Sequence, residues 1–288
     1  LTYGCLLRPH REVRELTWND FSEDLSYIKL SGERNKSGKN RIVPIPNFIK
    51  PYLIKKETDK NIFTSTNKVY GDAPNNIKMK ELERRWDYDD SKYIEGINEE
   101  FTIDQSTHSL FGASKLSADI LVQEYGRYFG MKSCVLRGGC LTGPNHSGVE
   151  LHGFLSYLIQ CNLEGRKYNI FGYTGKQVRD NIHAKDLAMF IKHFINKPTR
   201  GEVYNIGGGT ELTNIELTKK ILSLMGRDDS SIDYVEDRKG HDLRYSVDIS
   251  KITRELGYEP RINWETGLRE TIEWYSANEA WWRPLKNK

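Results

Sequence analysis

The chain has 288 residues, of which 37% are hydrophobic, 29% charged and 11% aromatic, with a net charge of +3. That composition argues against disorder, and no run of roughly eighteen apolar residues is present to form a membrane-spanning helix. The basic excess is uneven, since residues 1–60 carry 12 Lys+Arg against 8 Asp+Glu while the remainder is close to neutral; so small an imbalance suits a solvated face, and also a weak nucleic-acid surface.

In chain order, residues 8–18 are expected to form a helix with Val13 and Leu16 on one face. Residues 25–30 alternate like a strand, 36–39 read as a turn and 41–46 as the return strand, with another short helix at 48–56. Near residue 58 the character changes. Residues 61–65 read as a strand, followed by a polar loop to about Gln105. A long helix is expected over 108–129, with Leu110, Phe111, Leu116, Ile120, Leu121 and Tyr125 as its apolar stripe. A strand follows at 133–137. Strands and helices then alternate, through a strand at 202–206 and helices near 184–196, 213–225 and 263–279. This alternation predicts an α/β fold with a mostly parallel sheet. Cys5, Cys134, Cys140 and Cys161 form no C-x-x-C pair, so reduced thiols, a cytoplasmic setting and no structural metal are expected. The N-terminus carries no signal-peptide pattern.

Several ordered motifs carry chemistry. Thr64-Ser-Thr-Asn-Lys-Val-Tyr-Gly-Asp72 ends the strand near residue 61. Ser109-Leu-Phe-Gly-Ala-Ser-Lys115 opens the long helix, with Phe111 and Lys115 one turn apart on the same face. Leu136-Arg-Gly-Gly-Cys-Leu-Thr-Gly-Pro-Asn145 follows the next strand. Gly175-Lys-Gln-Val-Arg-Asp-Asn-Ile-His183 with Asp186, and Arg238-Lys-Gly-His-Asp242 with Arg244, lie further on. Taken singly, each has a plainer reading: Thr66 as a strand-end cap, Lys115 as a surface lysine, Arg179 in a surface ion pair, and residues 238–242 as a charged loop.

Taken together, these motifs make residues 61–288 resemble the extended short-chain dehydrogenase/reductase family, and within it the CDP-paratose 2-epimerase (CDP-tyvelose epimerase) group. The resemblance implies NAD as cofactor and a nucleotide-sugar, a CDP-deoxyhexose, as substrate. Thr66 would hydrogen-bond the sugar oxygen being oxidised. Lys115 would bind the nicotinamide ribose and lower the pKa of a neighbouring Tyr acting as base. Phe111 stands at that Tyr position, so the proton must go elsewhere or the site is dead. Asn145 lies in the loop lining the cleft, and Arg179 and Arg238 would bind phosphate oxygens. The turn after Tyr204-Asn-Ile-Gly-Gly208 looks like a phosphate loop but is structural in this family. Related 4,6-dehydratases have Thr-Asp-Glu at the catalytic strand, an acid and a base for eliminating water. Here the triplet is Thr66-Asn67-Lys68. The implied reaction is therefore epimerisation, by oxidation to a keto sugar and re-reduction on the other face, in surface-polysaccharide synthesis.

NAD binding requires a Gly-rich turn at a helix N-terminus, and no G-x-G-x-x-G or G-x-x-G-x-x-G precedes Thr66. On the resemblance, the fold is the C-terminal part of an extended SDR (Rossmann-like) fold lacking its first strands, roughly a hundred residues at about thirty per βαβ unit. The chain as written is accordingly expected to be inactive and to bind NAD poorly. Residues 1–58 instead resemble the middle of a tyrosine recombinase (phage integrase) catalytic domain, as a small α+β fragment. Arg8, with Arg11 as the alternative, falls on the catalytic arginine, and Lys36 on the hairpin lysine. This implies weak DNA binding by a domain 1–58 ahead of an epimerase-like domain 59–288. A non-functional gene mosaic is the third reading, and a homo-oligomer is left open.

Overall fold

The computed structural model describes residues 16–34, 39–45, 47, 50, 53, 60–146, 148–150, 153–172, 174–237 and 241–287. The chain divides into two compact units, Leu1–Asp59 and Lys60–Lys288. In the first, β1 (Tyr27–Leu30) and β2 (Arg41–Pro44) form an antiparallel hairpin with Ile28 opposite Val43. Alternation puts Ile28, Leu30, Val43 and Ile45 on one buried face, with Leu16, Phe21 and Leu53 packed against it. Among the described residues a 3-10 turn, Trp18–Asp20, precedes β1, and most of the helix expected over 8–18 lies outside them. Arg8, Arg11 and Lys36 lie outside the described residues.

The second unit begins with β3 (Lys60–Thr66), followed by a short antiparallel hairpin of β4 (Met79–Glu81) and β5 (Trp86–Tyr88). The polar composition of 72–105 suggested a plain loop, but Tyr88 and Ile97 anchor this segment in a core with Val69 and Tyr70. Helix α1 (Leu110–Phe129) then leads to β6 (Lys132–Gly138) and β7 (Cys140–Thr142). Next come α2 (Phe154–Leu163), β8 (Tyr168–Phe171), β9 (Val178–His183) and α3 (Ala184–Asn196). After them follow β10 (Glu202–Ile206), β11 (Glu211–Thr213), α4 (Asn214–Leu224) and β12 (Ile232–Val235). The chain closes with β13 (Arg244–Tyr245), α5 (Ser250–Leu256), α6 (Trp264–Ala277) and α7 (Glu279–Trp282).

β10, β6 and β3 form a parallel sheet in that order, the arrangement that helical crossovers produce. β6 is central, and its run Ser133, Cys134, Val135 and Leu136 is wholly buried, as expected of a strand covered on both faces. The outer edge of β10 is capped by side chains: Lys251 Nζ donates to the Val203 carbonyl (2.9 Å) and the Asn205 N–H donates to Glu99 (2.7 Å). Such charged caps block further strand pairing. β9 carries the second sheet, pairing antiparallel with β11 and parallel with β7 and β13. The C-terminal helices pack Leu268, Tyr275 and Trp282 on Leu158, Ile170 and Ile221. Each fully buried side chain of this size contributes roughly 1.5–3 kcal/mol.

The expected stripe of α1 is mostly exposed, Leu116 being the member that packs inward, against Val69 and Tyr70. Leu110 is 93% exposed, Leu121 58% and Phe111 50%, with Ile120 and Tyr125 also exposed. The helix instead buries Gly112, Asp119, Gln123 and Gly126. Two contacts explain the reversal. A Cβ on Gly126 would lie 2.3 Å from the Gly201 Cα, so the helix seats backbone to backbone. Asp119 is taken inside by Arg137 of β6, whose Nε donates to it at 2.9 Å. Hydrophobic periodicity cannot register a face held by glycine and an ion pair.

Candidate active site

β3 ends at Thr66, at the C-terminal edge of a parallel sheet, where open α/β folds bind ligands. Thr66 caps the 3-10 turn Asn67–Tyr70, its Oγ1 accepting from the Lys68 N–H at 3.2 Å. The same Oγ1 lies 3.3 Å from the Tyr245 hydroxyl. The cap role and a role at the strand end are therefore compatible.

β9 and β13 bring the remaining groups to this end. Arg179 is buried, and its Nη1 donates to the carbonyls of Val178 (2.7 Å) and Asp242 (2.9 Å). Its Nη2 is buried without a hydrogen-bond partner. Lys68 forms an ion pair with Asp242, and its ammonium stands 5.3 Å from the centroid of the Tyr245 ring. The Arg179 guanidinium approaches the same ring at 5.8 Å. Burial pushes the Cys140 thiol up to about 11, against the pull of Arg179. Burial also raises Tyr245 well above the ordinary phenol range, with Cys140 and Asp242 adding to the rise while the Thr66 hydrogen bond and Arg179 oppose it. The sequence motifs include Asp242 but not Tyr245, which is 179 positions from Thr66. No local spacing could have paired them.

The strand that presents Tyr245 is tightly held. Arg244 donates to both Glu211 oxygens (3.0 and 2.6 Å) and to the carbonyls of Tyr93 and Ile94, while the Tyr88 hydroxyl donates to the Arg244 carbonyl (3.2 Å). The 79–94 segment, expected to be a loop, thus fixes the residue beside the site.

On α1, Lys115 donates from Nζ to the Thr64 carbonyl at 3.3 Å and lies 5.2 Å from the Phe63 ring centroid. It is thereby placed beside β3, two residues before Thr66. Phe111 stands one turn earlier with no hydroxyl to offer. The start of α1 lies close to the Thr66 turn, since a Cβ on Gly112 would sit 2.8 Å from the Lys68 carbonyl. Asn145 is exposed in the loop after β7, with a left-handed backbone (φ 62°). Arg238 lies outside the described residues. The glycine turn after β10 is a packing device: the Gly208 N–H donates to Asp180 Oδ1 (3.0 Å), and a Cβ on Gly207 would meet Oδ2 at 1.9 Å.

For a nicotinamide dinucleotide, the Lys115 ammonium anchored on β3 suits a ribose hydroxyl, with Thr66 two residues further on. No described residue forms a glycine-rich pyrophosphate turn ahead of β3. A separate cavity of about 680 Å³ lies beside the start of β10, lined by Glu99, Arg127, Arg137, Lys251 and Glu255 among others, and none of the site residues named above lines it.

Residues 49–207 match the NAD dependent epimerase/dehydratase family. Among related enzymes, the dTDP-glucose 4,6-dehydratase of Actinoplanes sp. is 39% identical over 175 residues, covering 61% of this chain and 53% of that enzyme. An Escherichia coli dTDP-glucose 4,6-dehydratase is 34% identical over 230 residues, covering 76% and 59%. The chain thus spans little more than half the length of these relatives. The NAD complex of the Bacillus anthracis dTDP-glucose 4,6-dehydratase superposes with a TM-score of 0.63 at 32% identity, over 83% of this chain and 67% of that one. The UDP-glucose 4-epimerase of Thermotoga maritima, solved with UDP-glucose, gives a TM-score of 0.62 at 26% identity, over 77% and 65%. With the parallel sheet, the Thr66 strand end and Lys115 of α1 in place, the chain belongs to the NAD dependent epimerase/dehydratase family.

Proposed function

We propose that the site epimerises a sugar carried on a nucleoside diphosphate, a CDP-deoxyhexose of the CDP-paratose type, by oxidising one hydroxyl to a ketone and restoring it from the other face. The observation that supports epimerisation over dehydration is the run Thr66-Asn67-Lys68. Elimination of water needs an acid and a base flanking the sugar. Here the two positions after Thr66 hold a buried amide and an ammonium already engaged with Asp242. Neither replaces a carboxyl pair.

In this reading NAD, when bound, takes up and returns the hydride. Thr66 Oγ1 holds the sugar oxygen whose carbon is oxidised. Lys115 holds the nicotinamide ribose. Arg179 offers its unpartnered Nη2 to a phosphate oxygen, a charge-assisted bond that also satisfies a buried donor. Asn145, and Arg238 beyond the described residues, complete the substrate contacts.

The test incubates the chain with NAD and either CDP-paratose or dTDP-glucose, read by mass spectrometry and sugar-proton NMR, with nucleotide-sugar binding measured in parallel by calorimetry. Binding of the CDP-sugar is the expected result for this chain, whose described residues form no pyrophosphate turn for NAD, and any turnover is expected as interconversion at C2 without change of mass. A product of dTDP-glucose that has lost water would overturn the reading in favour of a dehydratase. Absence of nucleotide-sugar binding would remove the site altogether.

A further inference from the structure

Epimerisation by transient oxidation requires a group that takes the hydroxyl proton as the ketone forms and gives it back on reduction. Phe111 cannot do this. Around Thr66 the described candidates are Lys68, Cys140 and Tyr245. Lys68 is committed to Asp242. Cys140 has its thiol pushed up to about 11 by burial and forms no bond to Thr66. Of these titratable groups Tyr245 places an oxygen within reach of Thr66 Oγ1, at 3.3 Å; the Asn67 Oδ1 at the same distance accepts from Thr66 and, as an amide, exchanges no proton.

We propose that Tyr245 supplies the phenol absent at position 111, contacting the sugar oxygen held by Thr66 and exchanging its proton. This rests on the epimerase reading of the site. Two oxygens 3.3 Å apart can both lie at ordinary hydrogen-bond distance, about 2.7–2.8 Å, from a third oxygen. A sugar hydroxyl held by Thr66 can therefore also hydrogen-bond to Tyr245. On oxidation the O–H bond breaks, its proton passes to the Tyr245 phenolate and its electron pair becomes the carbon–oxygen π bond. The hydride leaving the carbon is accepted by oxidised nicotinamide dinucleotide. Reduction reverses each transfer, so Tyr245 ends as it began.

Burial, with Cys140 and Asp242, disfavours the phenolate, while the Thr66 hydrogen bond and the Arg179 guanidinium, 5.8 Å from the ring centroid, favour it; the Lys68 ammonium stands 5.3 Å from the same centroid. The phenol consequently stays protonated at neutral pH, and turnover should rise with pH above neutrality. The strand that carries the ring is held at the preceding residue, Arg244, by Glu211 and by the Tyr88 hydroxyl.

The experiment uses the full chain and two variants, Tyr245→Phe and Tyr245→His, with folding checked by circular dichroism. Affinities for CDP-glucose and for CDP are compared by calorimetry. Tyr245→Phe should weaken CDP-glucose about tenfold and leave CDP unchanged, because only the sugar loses a partner. Tyr245→His, which keeps a donor, should retain most of the sugar preference. Any turnover of CDP-paratose that the wild-type chain shows with NAD should fall roughly 100-fold or more in Tyr245→Phe, with KM little changed and the rise with pH abolished. A Tyr245→Phe chain with the wild-type CDP-glucose to CDP ratio, or a His variant that loses as much as Phe, would overturn the proposal while leaving the epimerase reading intact. Failure of the wild-type chain to bind either nucleotide would defeat the epimerase reading itself, and the proposal with it.

Discussion

Arg137 of β6 and Asp119 of α1 meet in the interior with Nε donating at 2.9 Å, and the Arg137 Nη1 continues to the Tyr70 hydroxyl at 3.1 Å. The guanidinium also stacks on the Tyr70 ring, 5.0 Å from its centroid. One ion pair thus ties the long helix, the central strand and the turn after Thr66.

Removing one member of that pair strands the other. Asp119→Ala is expected to destabilise the chain by about 3–5 kcal/mol, because an uncompensated buried guanidinium remains. The double variant Asp119→Leu/Arg137→Met should recover much of the loss. Urea titration of the two variants against the wild type checks both values.

Asp180 gives a pH dependence of definite sign. Burial raises its carboxyl from 3.8 to about 7, against the Gly208 hydrogen bond that favours the ionised form. The folded chain therefore holds a proton that the unfolded chain has released between those values. Its contribution to stability is fully present below 3.8 and is lost as pH rises through about 7. Asp180→Asn removes the ionisation while keeping an acceptor for Gly208. The stability of the variant relative to wild type should grow with pH across that window and level off above it. Chemical denaturation at several pH values measures this, and a constant difference would refute it.

The buried face of α1 can be checked by a contrast. Gly126→Ala should cost about 1–3 kcal/mol or more, since the added Cβ would lie 2.3 Å from the Gly201 Cα. Leu121→Gln, on the exposed face, should change stability by less than about 0.5 kcal/mol. Thermal melts of both variants decide between this face and the apolar stripe.

Arg179→Lys keeps the charge and loses the planar fork. If Arg179 holds a phosphate, affinity for CDP should fall about tenfold or more, and raising the salt concentration should not restore it. Calorimetric titration with CDP gives the answer, and equal affinity in the two proteins would remove Arg179 from the site.

Much of this protein was legible in the sequence. The hairpin of residues 27–44, the strands near 61, 133 and 202 and the helices at 184, 214 and 264 follow from alternation, helical periodicity and caps, all of which act over a few residues. So does the placing of Lys115 and Thr66, since the helix and strand that carry them are local. The β4–β5 hairpin escaped because its strands are three residues each, too short to show a period.

Only the tertiary structure decided which face of α1 is buried, because glycine contacts and the Asp119–Arg137 pair join positions that sequence periodicity treats as independent. The same holds for the site. Thr66 on β3, Arg179 on β9 and Tyr245 on β13 are brought together by sheet register and crossovers, and a phenol 179 positions from its threonine has no local signature. The sequence by itself determined many of the elements and the family. The meeting of Thr66 with Tyr245 belongs to the long-range packing, where burial, rather than spacing, sets the chemistry of each group.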